Sequence, residues 1–418
     1  MSTQHPVKPL WTKDFTIITL GSAVSMIGNA MCGFAMSLLV LDYTQSTFLY
    51  ALYLIVYTLP QIIVPVFSGA ILDRFSRKKT IYTLDFISAV LYSISAYVLY
   101  SGWFSFPILA CFCFLIGSIN SVYTVAYQSF YPMLITEGNY SKAYSVSSFL
   151  ETVSTIMIPV ATFAYNLIGA APLFALNAIS FLTAAIMETQ ISAKETYIEL
   201  QENNRIQSGS FKNQLFADLK EGLEYLKQEK GLQAVTYYFT VASVAYGISS
   251  VITLPYFKST YPNGEYVYIL VWGMSVLGRG IGSMIHYKFK YPAKQKYNIA
   301  IVVYVVTAVA EGIYLYLKVP VMMAVFFVVG VLGVTSYTIR ISATQNYVPD
   351  EKKGRFNGAF NMLNTGGHLI GEFFAGVLTI KFAPRTVLTG FMILSALFAI
   401  IIIGGNKKAV SEIYNREL

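Results

Sequence analysis

Residues 104–136 read FSFPILACFCFLIGSINSVYTVAYQSFYPMLIT, a run without a single Asp, Glu, Lys or Arg. In lipid such a chain can satisfy its backbone N–H and C=O groups only by closing them into a helix or a barrel. About 20 apolar residues are enough for a helix to cross the hydrocarbon. The same pattern recurs along the chain. Residues 81–106 hold one charge, Asp85, and residues 319–339 hold none. The 418 residues are 55% apolar and 12% charged, against about 25% charged in a soluble domain. Too few polar groups remain to coat a water-facing surface, which excludes a large soluble protein. Alternating ten-residue strands, the mark of a barrel, are absent.

The expected fold is therefore all-α integral membrane, with twelve transmembrane helices near 15–41, 48–72, 80–101, 105–133, 142–167, 171–192, 233–257, 265–288, 297–317, 320–346, 357–381 and 385–405. The polar first 14 residues and the long first apolar run argue against a cleavable signal peptide. Lys and Arg cluster in alternate loops: Arg74, Arg77, Lys78 and Lys79, then Lys288, Lys290, Lys294 and Lys296, then Lys352, Lys353 and Arg355. This asymmetry puts both termini in the cytoplasm. It also accounts for the net charge of +8 as topology, so nucleic acid is not an expected partner. Cys32, Cys111 and Cys113 lie inside apolar runs and read as small buried hydrophobes, without metal or redox spacing.

One long hydrophilic stretch, 194–232, divides the chain into an N-terminal six-helix bundle (1–193) and a C-terminal one (233–418). Its second half places Leu215, Leu219, Leu223 and Leu226 at the spacing of an amphipathic helix, expected to lie on the membrane or on the bundle. The halves repeat. Ala126-Tyr127-Gln128-Ser129-Phe130-Tyr131-Pro132 ends helix four, and Ala343-Thr344-Gln345-Asn346-Tyr347-Val348-Pro349 ends helix ten. Paired halves of this kind are a transporter architecture.

The loop between helices two and three reads Gly69-Ala70-Ile71-Leu72-Asp73-Arg74-Phe75-Ser76-Arg77-Lys78-Lys79. It resembles the major facilitator signature Gly-x-x-x-Asp-Arg-x-x-Arg-Arg/Lys. The resemblance implies that Gly69, Asp73, Arg74, Arg77 and Lys78 form a cytoplasmic gate that latches onto the start of helix eleven. The chain as a whole resembles the macrolide-efflux branch, notably at Leu10–Phe15, Pro172–Leu182 and Gln345–Gly358. It departs from many drug antiporters in helix five, where Ile158-Pro159-Val160 lacks their Gly-Pro pair.

Ionisable groups at membrane depth are costly and usually face the interior. Glu151, Arg279, His368 and Glu372 lie near mid-span, and Glu311 nearer the outside. Helical spacing gathers them into stripes. Asn361, Asn364, Thr365, His368 and Glu372 share a face of helix eleven, flanked by Gly367 and Gly371. Tyr144, Ser148, Glu151, Thr152 and Thr155 share a face of helix five. Asn120, Tyr123, Thr124, Tyr127 and Tyr131 align on helix four. Trp272, Ser275, Arg279, Ser283 and His286 align on helix eight, and Ser22, Ser25, Asn29 and Gly33 on helix one. Five polar stripes imply a shared cavity.

A carboxyl group shielded from water can take up and release a proton near neutral pH. Glu151 is the first candidate for proton coupling, and Glu372 with His368 the second, with Glu311 beside them. Asn29, Asn120, Tyr123, Tyr127, Trp272, Arg279, Tyr337, Asn361 and Asn364 are the candidates for lining a substrate cavity. Asp85 is expected to pair with the basic loop nearby, and Arg340 to be structural. With the resemblance, these residues point to a monomeric secondary transporter in a bacterial cell membrane. It would export small amphipathic compounds by alternating access, coupled to proton entry and needing no cofactor. An importer of a sugar, peptide or organic anion anchored by Arg279, and a membrane sensor or scaffold using 194–232, are the other readings. An enzyme is disfavoured: nucleophile–base pairs, metal clusters and phosphate loops are not seen in the sequence.

Overall fold

The computed structural model of the protein describes residues 9–64, 75–136, 139–195, 221–288 and 291–416, and among them finds helices and no strand. Helix α1 (Lys13–Thr44) starts at Thr12, whose hydroxyl accepts the Phe15 N–H at 3.2 Å, and ends at Gln45 with φ 48°. Helix α2 begins as Thr47–Thr58 and its path continues to Val64. Then come α3 (Arg77–Tyr100), α4 (Phe106–Phe130), α5 (Tyr140–Ile168) and α6 (Ala170–Glu188). Gly169 alone separates α5 from α6, at φ 78°, in a left-handed conformation that costs glycine little. After the long hydrophilic stretch follow α7 (Lys230–Thr260), α8 (Gly264–Lys288), α9 (Lys296–Ile313), α10 (Val319–Tyr347), α11 (Asp350–Leu378), α12 (Pro384–Phe398) and the short α13 (Lys407–Tyr414).

Among the described residues, ten helical spans are long and apolar enough to cross a membrane. They include every one of α1–α12 except α5 and α11, which carry the polar stripes with Glu151 and with His368 and Glu372. Their surfaces are apolar: Ile94 is 55% exposed and Ile179 58%. In water such a surface would be a liability; in lipid it is the solvated face.

The chain divides into two compact units, 1–45 with 56–212, and 46–55 with 213–418. In the first, α6 packs against α1 and α3. Tyr92 stacks on Phe181 at 5.6 Å and meets Phe112 edge-on at 5.2 Å. The N-terminus of α3 is capped twice. The Ser76 hydroxyl accepts from the Lys79 N–H at 3.1 Å, and the Glu195 carboxylate accepts from the Arg77 N–H at 2.7 Å, an anion at the positive end of a helix dipole.

In the second unit, glycines bring helix backbones together. A Cβ on Gly371 would overlap the Val244 carbonyl oxygen, and one on Gly247 would overlap that of His368, so α7 and α11 are in backbone contact. Gly278 and Gly330 do the same for α8 and α10, against Phe327 and Ser275. Packing between small residues holds helices together in lipid, where no hydrophobic force does so. Gly376 of α11 rests on Phe48 and Ala51 of the 46–55 segment.

Residues 221–228 are helical. Tyr225 and Leu226 are buried in this unit's core, Lys352 stands 4.6 Å above the Tyr225 ring, and Glu221 pairs with Arg355 at 2.5 Å. This part of the amphipathic stretch lies on the helices, while Leu215 and Leu219 lie outside the described residues. Helix α13 buries Val410, Ile413 and Tyr414, and the Tyr414 hydroxyl bonds that of Tyr304 at 2.9 Å. Arg340 of α10 is enclosed by rings, its guanidinium 4.7 Å from Phe360, 5.0 Å from Phe239 and 5.6 Å from Tyr337. Cys32 and Cys113 are buried as expected. Cys111 is exposed, because on α4 it falls on the outer face, away from the core.

This packing sets the outcome of three substitutions. Gly371→Leu should lower the melting temperature of the detergent-solubilised protein by several degrees, since overpacking costs about 1–3 kcal/mol or more. Gly366→Ala, where a Cβ would meet nothing within 4 Å, should leave it unchanged or raised. Arg340→Lys should also lower it, because an ammonium cannot stack on three rings as a planar guanidinium does, an interaction worth about 2 kcal/mol when desolvated. Equal melting of Arg340→Lys and wild type would remove the ring cage as a source of stability.

Candidate functional site: a polar cavity in the first unit

A cavity of about 610 Å³ opens inside the first unit, between α1, α3, α4, α5 and α6. Its size is within the ordinary range of small-molecule sites. The wall from α4 is aromatic: Tyr123 stacks on Tyr127 at 6.0 Å and Tyr127 on Tyr131 at 5.2 Å. One residue every four along the helix puts all three rings on one face. The Tyr131 hydroxyl donates to the Ala143 carbonyl at 2.9 Å, fixing that end of the ladder to α5. Asn120 lies one turn before Tyr123, within hydrogen-bond reach of the Tyr57 hydroxyl.

From α1 come Ser22, Ser25 and Asn29. The Ser22 hydroxyl lies 3.5 Å from that of Tyr123. Asn29 meets Asn177 of α6 at 3.5 Å, and Gly28 gives Asn177 and Ser180 the room to approach. Glu151 enters from α5 and is exposed to the cavity. The structure therefore brings together Asn29, Asn120, Tyr123, Tyr127 and Glu151 in one chamber. The side chains of Tyr144 and Ser148 lie outside the described residues.

Two carboxyl groups meet at the inner wall. Asp85 of α3 lines the cavity, and Glu188, the last residue of α6, faces it within hydrogen-bond reach. Each residue is 1% exposed. Asp85 Oδ2 and both Glu188 carboxylate oxygens have no hydrogen-bond donor. The expected pairing of Asp85 with the basic loop is thus replaced: its partner is another acid. The loop's cations have other tasks. Arg77 donates to the Ser129 carbonyl at 3.3 Å and Lys78 to the Ile191 carbonyl at 3.1 Å, so both tie helix ends together. Gly69, Asp73 and Arg74 lie outside the described residues.

Glu188 is the functional-looking residue that the sequence reading passes over. At the end of an apolar run, a carboxylate reads as interfacial. The available signal is helical spacing: Asn177, Phe181, Ala184 and Glu188 fall on one stripe, and all four are buried.

The candidates of the second unit are arranged differently. Ser243 donates to Asn364 Oδ1 at 2.9 Å. His368 Nε2 stands 3.5 Å from Glu372 Oε1, and Glu372 is buried. Glu311 sits apart in a small cavity of about 30 Å³ lined by Tyr246, Tyr304, Thr307 and Ser395, room for about one water. Arg279 is exposed, and among the described residues its guanidinium makes no hydrogen bond or ion pair. Tyr337 and Asn361 are exposed and Trp272 half-buried. Among the described residues, the lining of the small cavity around Glu311 includes none of Arg279, Tyr337, Asn361, Asn364, His368 and Glu372. Among the described residues no cluster of three metal-ligating side chains occurs.

Comparison with known proteins places this architecture. The Major Facilitator Superfamily profile matches residues 18–372. The uncharacterized MFS-type transporter YkuC of Bacillus subtilis (strain 168) is 23% identical over 286 residues, 66% of each chain. Macrolide efflux protein A of Streptococcus pyogenes is 25% identical over 257 residues, 60% of this chain and 61% of that protein. The matched region thus spans somewhat less than two thirds of these relatives' length. Among solved structures, a mutant of the peptide transporter POT in complex with alafosfalin superposes with a TM-score of 0.68 at 8% identity, covering 98% of this chain and 97% of that one. The nucleoside transporter NupG gives 0.66 at 13% identity, covering 94% and 98%. At such identities the likeness is one of fold. With a membrane-spanning helical chain, a polar chamber among its helices and a family match over most of its length, this protein belongs to the Major Facilitator Superfamily.

Proposed function

We propose that this protein is a twelve-span secondary transporter with two six-helix bundles, exporting basic amphipathic compounds of the macrolide type from a bacterial cell by alternating access coupled to proton entry. The observation that carries the reading is the chemistry of the first unit's cavity. Its charged lining residues are acidic, Asp85 and Glu151, and its broadest wall is the Tyr123–Tyr127–Tyr131 ladder. A protonated amine on a greasy scaffold is matched by such a surface: the rings attract it through their π faces and Glu151 offers a counter-charge. The macrolide-efflux relative, at modest identity, supports the same class of substrate. Glu151 serves as the cavity's water-exposed carboxylate. His368 with Glu372, and Glu311 in its own small cavity, are the corresponding proton-binding candidates of the second unit. Both termini are cytoplasmic in this reading, and the working form is a monomer.

A second reading, an organic-anion transporter, rests on the exposed Arg279 guanidinium. Arg279→Gln separates the two, since it would abolish anion uptake and spare export of a base.

The direct test is accumulation of a macrolide panel in bacteria stripped of their own efflux pumps. Wild-type protein should lower accumulation several-fold, and Glu151→Gln at matched expression should lose most of that effect. Unchanged accumulation with wild type across the panel would contradict export of this class.

A further inference from the structure

We infer that Asp85 and Glu188 form a proton-binding site in which a single proton is held between two carboxyl groups at the inner wall of the cavity. The inference rests on the proposed coupling to protons only for its use in transport; the site itself stands on geometry.

Both residues are 1% exposed, and three of their four carboxyl oxygens are buried without a donor. Two ionised carboxylates in this position would have neither water nor a hydrogen-bond donor between them, and like charges so close cannot both be sustained in a dry site. The groups that face the pair from the packed elements are Tyr123 and Tyr127 of α4 and, across the cavity, Glu151 of α5. Helix α1 contributes the uncharged Gly21 and Ser22. Among the described residues no cation reaches them. One proton resolves the conflict. It takes the pair from a charge of −2 to −1, and the acid O–H donates to the facing carboxylate, a short, charge-assisted bond.

The arrangement has an entrance and a back wall. Asp85 lines the cavity, while Glu188 lies behind it against Gly21, where a Cβ would stand 3.2 Å from Glu188 Oε1. A proton therefore arrives from and leaves to the cavity through Asp85. Removing it places two anions between α3 and α6, the helices that carry them. Their repulsion pushes those helices apart, which is how occupancy of the site would be felt by the rest of the unit.

Infrared difference spectra of the purified full-length protein, recorded across a pH jump in detergent, test this without any transported substrate. Wild type should show the carbonyl stretch of a buried carboxylic acid, lost as the pH is raised. Asp85→Asn and Glu188→Gln each keep the size of the neutral acid, and each should lose a component of that band, leaving any contribution of Glu311 and Glu372 unchanged. Variant bands that coincide with that of wild type, a wild type without one, or a wild-type band abolished at constant pH by sodium chloride would overturn the inference, the last by making the site a sodium site. If the band behaves as expected and no drug is exported, the site stands and the export reading fails.

Discussion

Everything in this structure depends on the absence of water from the bilayer's interior. A polar group there must find its partner within the protein, and an apolar one needs no shelter. The chain accordingly sorts its polar side chains inward, where Ser22, Asn29, Asn120 and the tyrosine ladder surround a cavity, and leaves Ile94, Leu115 and Ile179 exposed on its surface. The same constraint explains the glycines. Without a hydrophobic force between helices, cohesion comes from close packing, and Gly247 and Gly371 bring α7 and α11 into backbone contact.

The two units use this inward polarity in different ways. In the second, several polar groups are joined in pairs: Ser243 with Asn364, His368 with Glu372, Tyr304 with Tyr414. Arg340 is spent on aromatic rings. The first unit keeps a large chamber, with Glu151 exposed to it and a carboxyl pair in its wall. A unit that leaves acids facing an open cavity is suited to holding a charged guest.

Much of this was legible in the sequence because its cause is local. Uncharged runs mark the helices, and the three- and four-residue helical spacing among Asn120, Tyr123, Thr124, Tyr127 and Tyr131 marks the wall of the chamber. Residues of the α1 and α4 stripes line one cavity in the first unit, and from the α5 stripe Glu151 joins them. What was not legible is which helix each stripe faces. The sequence offers Asp85 a basic loop whose cations lie six to eleven positions away, but the fold gives it Glu188, more than a hundred residues on, because α3 packs along α6. Glu188 itself looks interfacial until its stripe with Asn177 and Phe181 is seen to be buried. Cys111 and Cys113 differ in burial for the same reason: two residues along a helix is a turn of about 200°.

The central claim, that α4 presents one face to a watery chamber and another to lipid, can be measured by chemical access. In a background with Cys32, Cys111 and Cys113 replaced by Ala, single cysteines at Thr124 and Gln128 would be compared with one at Leu115, 48% exposed and about half a turn away on the same helix. A charged, membrane-impermeant thiol reagent applied to membranes opened on both sides should modify Thr124→Cys and Gln128→Cys and spare Leu115→Cys. Labelling of Leu115→Cys with protection of the other two would contradict the account, since it would put water on the face assigned to lipid.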